Sequence, residues 1–341
     1  MKNKILNIGS GYYQSSIVKE IKKMGYKIIS CDINSTAPAL KYADKKIIVD
    51  CHNHTKVFNK IKKYKNEIIA VVSGCTRNSI YTTSYIANKL NLNCLNPKIA
   101  KKVISKEYIS KKFNRNLFIN INNLNKIYKN KKIKKIVIKA NSLSGQMGVG
   151  VFKNFKNNKK LFQFYNSFNI NELSCEKFVK GHHFIVTGIS HKKKYKFYTT
   201  LLKKVDVKLK TVSITTNSKV IENFKAKLIT FSKLILKDLK FDNGPFQLEI
   251  FMDSKKKMYV GEIEPSITGS YISEKIIPYS TGRNFIQDCI RCSVDKNYKH
   301  SDVKKIRDIK LIFIKKKIKK SYPKYEKLKY AYIKKSKLLK V

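Results

Sequence analysis

The stretch KKIVIKANSLSGQMGVGVF, Lys134–Phe152, joins a β-branched run ending in one lysine to a loop of Asn, Ser and Gly. An apolar run follows the loop, so the pattern predicts two strands with a flexible connection. A strand-end lysine can reach phosphate oxygens as a point charge, and a Gly/Ser loop can turn backbone N–H groups toward the same phosphate. Because the lysine precedes the loop, the order is not that of a P-loop NTPase. Taken alone, Ser142–Gly148 is equally typical of a hairpin turn.

Composition limits the class of protein. The chain has 341 residues, of which 42% are hydrophobic, and this predicts a packed protein of two or three domains. No apolar run is long enough for a transmembrane helix, and MKNKILNIGSG is typical of a first strand rather than of a signal peptide. The seven scattered cysteines include a lone CxxC at Cys289 and Cys292, which favours reduced thiols in the cytoplasm over a zinc site.

The net charge of +52 is the feature that most suggests a polyanionic partner. The lysines are spread along the whole chain, however, and do not form one patch. The chain is also rich in Lys, Asn, Ile, Tyr and Phe, residues that share A- and T-rich codons, so genome bias can account for the charge. We therefore expect neither a specific nucleic-acid partner nor a membrane partner.

Residues 1–95 alternate strand and helix patterns, which predicts a doubly wound α/β domain with a parallel sheet. Gly9-Ser10-Gly11 follows the first strand, and Asp32 ends the second, as in a dinucleotide-binding fingerprint. Gln14 stands where that fingerprint has its third glycine. An NAD(P)-binding protein therefore stays open only as an alternative.

The remaining chain predicts a mixed α+β arrangement. Residues 96–130 have a basic helical pattern, and residues 134–190 contain three or four strands and a helix near 156–167. A long helix is predicted at 216–239, followed by the strands PFQLEIFMD and KMYVGEIEP and by a helical pair ending near 295. The basic tail contains one strand, KLIFIKK.

Three glutamates are expected on one sheet face. Residues two apart in a strand face the same side, so Glu262 and Glu264 project together, and Glu249 lies on the hairpin-related strand. Such carboxylates repel each other unless a cation neutralises them, and Mg²⁺ shared with phosphates is the usual solution. A solvated edge face is the alternative. A further strand, LSCEKFVKG, could offer backbone groups to an adenine edge.

In this order, Lys139 before a Ser/Gly loop, CEKFVKG, LEIF and GEIEPSITGS resemble the ATP-grasp superfamily over nearly the whole chain. The resemblance is to its carboxylate–amine ligase branch, with carbamoyl-phosphate-synthetase-like, biotin-carboxylase-like and amino-acid ligase-like members. It implies an N-terminal doubly wound domain at 1–95 and an ATP-grasp domain at 96–300, in which two α+β subdomains grip ATP. The lid subdomain is expected at about 115–190, and a small basic segment at 301–341.

The resemblance also implies roles for individual residues. The implied catalytic residues are Lys106 and Lys139. Arg283, in STGRNF, is a further catalytic candidate that could hold a carboxylate, although it could equally be a surface arginine. The residues expected to bind ATP are the two lysines, Ser142, Ser144, Gly145 and Gly148 of the loop, Glu176, Lys177, Phe178 and Val179 of the adenine hinge, and His183. The expected ligands of Mg²⁺, or of Mn²⁺ in its place, are Glu249, Glu262 and Glu264. Tyr12, Gln14 and Arg77 are further candidates for the substrate pocket.

The implied function is that of an ATP- and Mg²⁺-dependent ligase forming a carbon–nitrogen bond. It would activate a small-molecule carboxylate as an acyl phosphate and join it to an amine, and a homodimer is one assembly left open. The chain departs from the family pattern at Glu264-Pro265-Ser266, where Asn-Pro-Arg is common, and at His183, where a ribose-binding glutamate is frequent. A degenerate ATP-binding regulatory protein therefore stays open as the alternative, ahead of an NAD(P)-binding protein.

Overall fold

A computed structural model describes the part of the chain from which the architecture follows. The described residues are 3–74, 77–120, 133–140, 148–153, 163, 166–167, 173–207, 209–216, 218–300, 302–303, 307–313, 326–327 and 331–335. They form three sheets, one parallel and two whose strand pairs are antiparallel. The predicted fold class, a parallel-sheet domain followed by α+β subdomains, is confirmed.

The N-terminal domain is a four-stranded parallel sheet in the order β3-β2-β1-β4. Its strands are β1 (Lys4–Ile8), β2 (Lys27–Asp32), β3 (Lys45–Ile48) and β4 (Ile68–Ser73). Its helices are α1 (Ser15–Lys23), α2 (His54–Ile61) and α3 (Arg77–Lys89). The predicted alternation of strands and helices is thus present, and Gly25 follows α1 at a φ of 82°, a value that favours glycine.

Two short helices lead from this domain into a small antiparallel sheet. They are α4 (Pro97–Val103) and α5 (Lys106–Phe113). Within the described part of the range 96–130, the predicted helical pattern forms these two helices, and a turn at Asn114 and a short strand follow; residues 121–130 lie outside the described residues. The small sheet has the order β5-β8-β6-β7, with β5 (Phe118–Ile119), β6 (Lys135–Ala140), β7 (Val149–Lys153) and β8 (Leu173–Lys177).

The large sheet has eight strands in the order β13-β12-β9-β10-β11-β14-β16-β15. They are β9 (Gly181–His191), β10 (Lys194–Val205), β11 (Thr211–Thr215), β12 (Gly244–Asp253), β13 (Met258–Glu264), β14 (Ile309–Phe313), β15 (Glu326–Lys327) and β16 (Ala331–Lys335). The helices α6 (Lys219–Asp238), α7 (Ile277–Thr281) and α8 (Phe285–Val294) follow β11 and β13.

The two faces of the large sheet have different neighbours. Phe184, Leu248 and Ile250 pack with Leu228 and Leu236 of α6 in one core. On the other face, strand residues such as Ile185 and Leu201 share a core with α1 and α8. The rest of that second face carries the polar side chains of the candidate site.

Sheet membership connects segments that are far apart in the sequence. Among the described residues, the small sheet's last strand ends at Lys177, and Gly181–His191 runs through the large sheet. In the basic segment after 301, β14 pairs with β11, and its alternating Ile309 and Leu311 are buried in the core shared with the N-terminal domain. The domain limits expected from the sequence, including a lid at about 115–190, stay predictions. Among the described helices, none has both the length and the apolar character needed to cross a membrane.

Candidate active site

Two lysines meet where the small sheet approaches β13. Ser105 caps α5 by accepting a hydrogen bond from the Tyr108 N–H, which makes Lys106 the first helical residue. The buried Lys106 Nζ donates to the carbonyl of Ala140 at 2.7 Å. Ala140 directly follows Lys139, which β6 presents on the face opposite its buried Ile136 and Ile138. The lysines predicted to bind phosphate are therefore brought together.

Lys139 also connects the hinge strand to β13. Its Nζ donates to Glu176 Oε2 at 2.5 Å and lies 3.5 Å from the carbonyl oxygen of Gly261, the residue before Glu262. Burial acts to raise the pKa of the Glu176 carboxyl, but the Lys139 ammonium and the hydrogen bonds to the carboxylate outweigh burial and lower it. Glu176 is therefore an ionised partner of Lys139 in the absence of a nucleotide.

Asn114 fixes the end of α5 to the same place. Its Oδ1 accepts from the N–H of Val260 at 3.0 Å, and its Nδ2 donates to the carbonyl of Val260 at 2.7 Å. The same Nδ2 lies 3.3 Å from Glu176 Oε1. One buried amide thus links the helix, the hinge strand and the strand that carries Glu262.

The carboxylates on β12 and β13 lie opposite each other, as their spacing predicted. Glu249 pairs with Glu262 in the strand register, and Gln247 pairs with Glu264. A bulge at Glu249 and Ile250 lets Gly261 stand without a direct partner. A Cβ on Gly261 would lie 2.5 Å from the Phe251 ring, so any larger residue here would have to displace that ring. Glu264 accepts from the Ser266 hydroxyl at 2.9 Å.

Glu249 has two protein partners. Lys203 Nζ, from β10, donates to Oε1 at 2.9 Å, and His183 Nε2, from β9, lies 2.7 Å from Oε2. The ring of His183 also lies against Phe251, with 4.3 Å between centroids. Burial acts to raise the pKa of Glu249, but Lys203 and then His183 outweigh it, so its pKa lies well below the ordinary value of 4.5. Burial lowers the pKa of His183.

Glu249 and Glu262 could provide part of the coordination of a metal ion, with the remaining ligands supplied by a second molecule. Within the described residues, no group of three or more His, Cys, Asp or Glu side chains has the geometry to hold a metal ion by itself. The three glutamates therefore do not form the convergent cluster expected from the sequence. Two opposed carboxylates, Glu249 and Glu262, are nevertheless the type of set that binds Mg²⁺ together with substrate phosphates. The roles of Glu249, Glu262 and Glu264 as ligands stay predictions.

The adenine hinge is partly engaged by neighbouring strands. The backbone N–H of Lys177 donates to the carbonyl oxygen of Leu117 at 2.8 Å. The backbone N–H of Phe178 donates to the carbonyl oxygen of Lys135 at 3.0 Å. The ammonium of Lys135 also lies 3.4 Å from the centroid of the Phe178 ring. A bound adenine would therefore have to use other backbone groups of the Glu176–Val179 segment.

Arg283 has a partner of its own. Its Nη2 and Nε donate to Asp288 at 2.8 and 3.2 Å, and the buried Asp288 also accepts from Tyr198 and Arg291. These hydrogen bonds hold Arg283 at the start of α8. They do not bring it to Lys106, Lys139 or the glutamates.

The glycine turn of the N-terminal domain differs from a dinucleotide site. Asp32 accepts from the N–H groups of Ser10 and Asn34, at 2.7 and 2.9 Å. The buried Gln14 donates to the carbonyl of Gly74 at 2.5 Å, so its side chain fills the place expected for a third glycine. Tyr12 lies partly exposed beside this turn, in edge contact with Tyr13.

Several predicted residues lie outside the described part of the chain. They are Ser142, Ser144 and Gly145, while Gly148 is described at a φ of 66° just before β7. Arg77 is described as the first residue of α3, without its side chain. Lys203 and Asn114 belong to no motif of the sequence and were not predicted. Lys203 is one of 74 basic residues, so its residue type alone did not distinguish it. Its position two residues after Leu201 in a strand could have placed it on the same sheet face as Leu201, which is also the face of Glu249.

Comparisons with known proteins place this geometry in context. No protein-family model matches the chain. A formate-dependent phosphoribosylglycinamide formyltransferase of Prochlorococcus marinus is 32% identical over 65 residues, which are 19% of this chain and 16% of that relative. The sequence match thus spans about a sixth of the relative's length.

Solved structures match far more of the chain. The phosphoribosylglycinamide synthetase of Anaerococcus prevotii aligns with a TM-score of 0.72 at 17% identity, over 99% of this chain and 95% of that one. The L-amino acid ligase of Bacillus licheniformis gives 0.75 at 17%, over 96% and 83%. The biotin carboxylase domain of the Hydrogenobacter thermophilus 2-oxoglutarate carboxylase, a dimer with MgADP, ADP and bicarbonate, gives 0.73 at 13%, over 91% and 74%. At these identities the likeness is one of fold.

Proposed function

We propose that this chain, whose fold is the ATP-grasp fold of carboxylate–amine ligases, is an ATP- and Mg²⁺-dependent ligase that forms a carbon–nitrogen bond. The observation that carries the proposal is the convergence of Lys106 and Lys139 beside the strand of Glu262. The Lys106 ammonium contacts Ala140, and the Lys139 ammonium lies near the Gly261 carbonyl. One buried and one partly buried cation beside opposed carboxylates suit a nucleotide polyphosphate with its metal.

In the proposed reaction, Lys106 and Lys139 bind the phosphates of ATP and stabilise charge on the transferred group. Lys139 would exchange Glu176 for a phosphate oxygen, while the Glu176–Val179 backbone contacts adenine and His183 lies toward the ribose. Glu249 and Glu262, with Glu264 nearby, would hold Mg²⁺ or Mn²⁺, which would neutralise the β- and γ-phosphates. The segment Ser142–Gly148 is proposed to cover the phosphates and exclude water.

The chemistry itself is a two-step transfer. A substrate carboxylate oxygen attacks the γ-phosphorus, the bond to the β-phosphate oxygen breaks, and ADP leaves an acyl phosphate. An amine then attacks the acyl carbon and releases inorganic phosphate. The protein contributes position and positive charge more than covalent chemistry.

The substrates proposed are a small carboxylic acid and a small amine. The region between the glycine turn at Tyr12–Gln14 and the segment after Glu264 is the proposed place for them. Ser266 stands where the family pattern has arginine, so an anionic group would need another partner there. We further propose a cytoplasmic location, which the free thiols of the described cysteines support, and a homodimer as the assembly to test.

A coupled assay tests this function. Purified protein with ATP and Mg²⁺ is incubated with pooled carboxylates and pooled amines, and ADP release is followed with hydroxylamine present to trap an acyl phosphate. Release that requires a carboxylate, together with a hydroxamate product, supports the ligase. ATP binding without release in any pool would instead favour the degenerate regulatory protein, and binding of NAD but not of ATP would reject both.

A further inference from the structure

Lys203 takes the position of a counter-cation to Glu249. Its ammonium donates to Glu249 at 2.9 Å, and only 9% of its side chain is exposed. Lys203 lies on β10 and reaches across β9 to a carboxylate on β12, and that carboxylate is opposed on its other side by Glu262. The line of groups across the sheet therefore runs from Lys203 through Glu249 to Glu262.

This arrangement bears on how a metal can enter. Each oxygen of Glu249 keeps lone-pair capacity beyond its one protein partner, so geometry alone does not block a cation. A divalent ion bound between Glu249 and Glu262 would, however, lie close to the Lys203 ammonium and be repelled by it. Lys203 cannot simply turn to water, because its side chain is almost fully buried and needs an anion.

We infer that Lys203 is a positioning residue whose ammonium stays bound to Glu249 until a polyanion binds that ammonium instead. The metal and the nucleotide would then bind cooperatively. A phosphate chain gives Lys203 a new partner and frees Glu249 for the metal. Conversely, a metal on Glu249 leaves Lys203 ready for phosphate. The two ligands therefore increase each other's affinity by the same factor. The inference rests on the proposed nucleotide site.

The test measures binding of Mn²⁺ alone, by electron paramagnetic resonance, with no nucleotide and no turnover. We expect wild-type protein to bind Mn²⁺ weakly and Lys203→Met to bind it at least tenfold more tightly. Lys203→Gln removes the charge but retains a hydrogen-bond donor, and it should also bind Mn²⁺ at least tenfold more tightly than wild type. It therefore keeps the test valid if Lys203→Met does not fold. Lys203→Arg should restore weak binding. Lys204→Met is the matched control, because Lys204 is the exposed neighbour on the same strand, and should match wild type.

A second arm repeats the titration with ADP. Wild-type affinity for Mn²⁺ should rise at least tenfold with ADP, and this gain should shrink in Lys203→Gln. Equal Mn²⁺ binding by wild type and both neutral variants, including none by any of them, would overturn the inference. A wild-type affinity for Mn²⁺ that does not rise with ADP would also overturn the inference. Both expected effects on Mn²⁺ binding, without any ADP release in the coupled assay, would uphold the inference and reject the proposed ligase.

Discussion

Asn114 makes two hydrogen bonds with the backbone of Val260, accepting from its N–H at 3.0 Å and donating to its carbonyl at 2.7 Å. Val260 lies on β13, which is the edge strand of the large sheet. The side chain therefore satisfies backbone groups that an edge strand would otherwise leave without partners. The same contact fixes the strand two residues before Glu262.

Replacing this amide should destabilise the protein and disturb the site. In Asn114→Ala, the buried N–H and carbonyl of Val260 lose their partners, and each such loss costs about 1–3 kcal/mol. We expect a decrease of about 2–4 kcal/mol in the free energy of unfolding, measured by urea denaturation. Asn88→Ala, at an exposed position of α3, is the control and should change stability by less than about 0.5 kcal/mol. Equal stability of both variants would show that the Val260 contact contributes nothing.

Lys139→Met should lose ATP binding and turnover. It should also leave the buried Glu176 carboxylate without its cationic partner. Glu176 is buried and keeps only hydrogen bonds once the ammonium is gone. Breaking such a pair costs about 3–5 kcal/mol. Adding Glu176→Gln should recover most of that stability but none of the turnover. A double variant as unstable as Lys139→Met would mean that the two side chains act independently.

Glu262→Gln should remove metal-dependent turnover with little loss of stability. Glu262 lies opposite Glu249, so neutralising it relieves repulsion between like charges when no metal is bound. The measurement is ADP release across a Mg²⁺ titration together with thermal unfolding. A collapse of stability without metal would identify Glu262 as a structural partner rather than a ligand.

Acid should destabilise the protein through Glu176 and Glu249. Both carboxyls have a folded-state pKa below the ordinary 4.5. The unfolded chain therefore binds more protons as the pH falls, and the stability these groups contribute is present above pH 4.5 and is lost below it. In Lys203→Met, Glu249 loses the ammonium that does most to lower its pKa, so its folded-state pKa moves toward that of the unfolded chain and the stability it loses on acidification should be smaller. Urea midpoints measured from about pH 7 to pH 3 should fall less steeply in this variant than in wild type, and parallel profiles would contradict the prediction.

The features that could be predicted from the sequence are those that depend on local residue patterns. Strand–helix alternation predicted the N-terminal sheet. The two-residue period placed Glu262 and Glu264 on one face, and the hairpin placed Glu249 on the strand beside them. What the sequence could not predict depends on contacts between distant segments. Lys203 contacts Glu249 because β9 pairs with both of their strands, and this pairing cannot be deduced from either local sequence. Arg283 forms an ion pair with Asp288, five residues later, and no motif predicted that pair.

The pairing of β14 with β11 has a consequence for how the chain folds during synthesis. Thr211–Thr215 can complete its hydrogen bonds only after Ile309–Phe313 has left the ribosome, so the central sheet keeps an open edge while α6, β12 and β13 are being made. An open strand edge is a template for association with other chains. A nascent chain of this protein therefore passes through a stage in which chaperone binding would favour folding over aggregation.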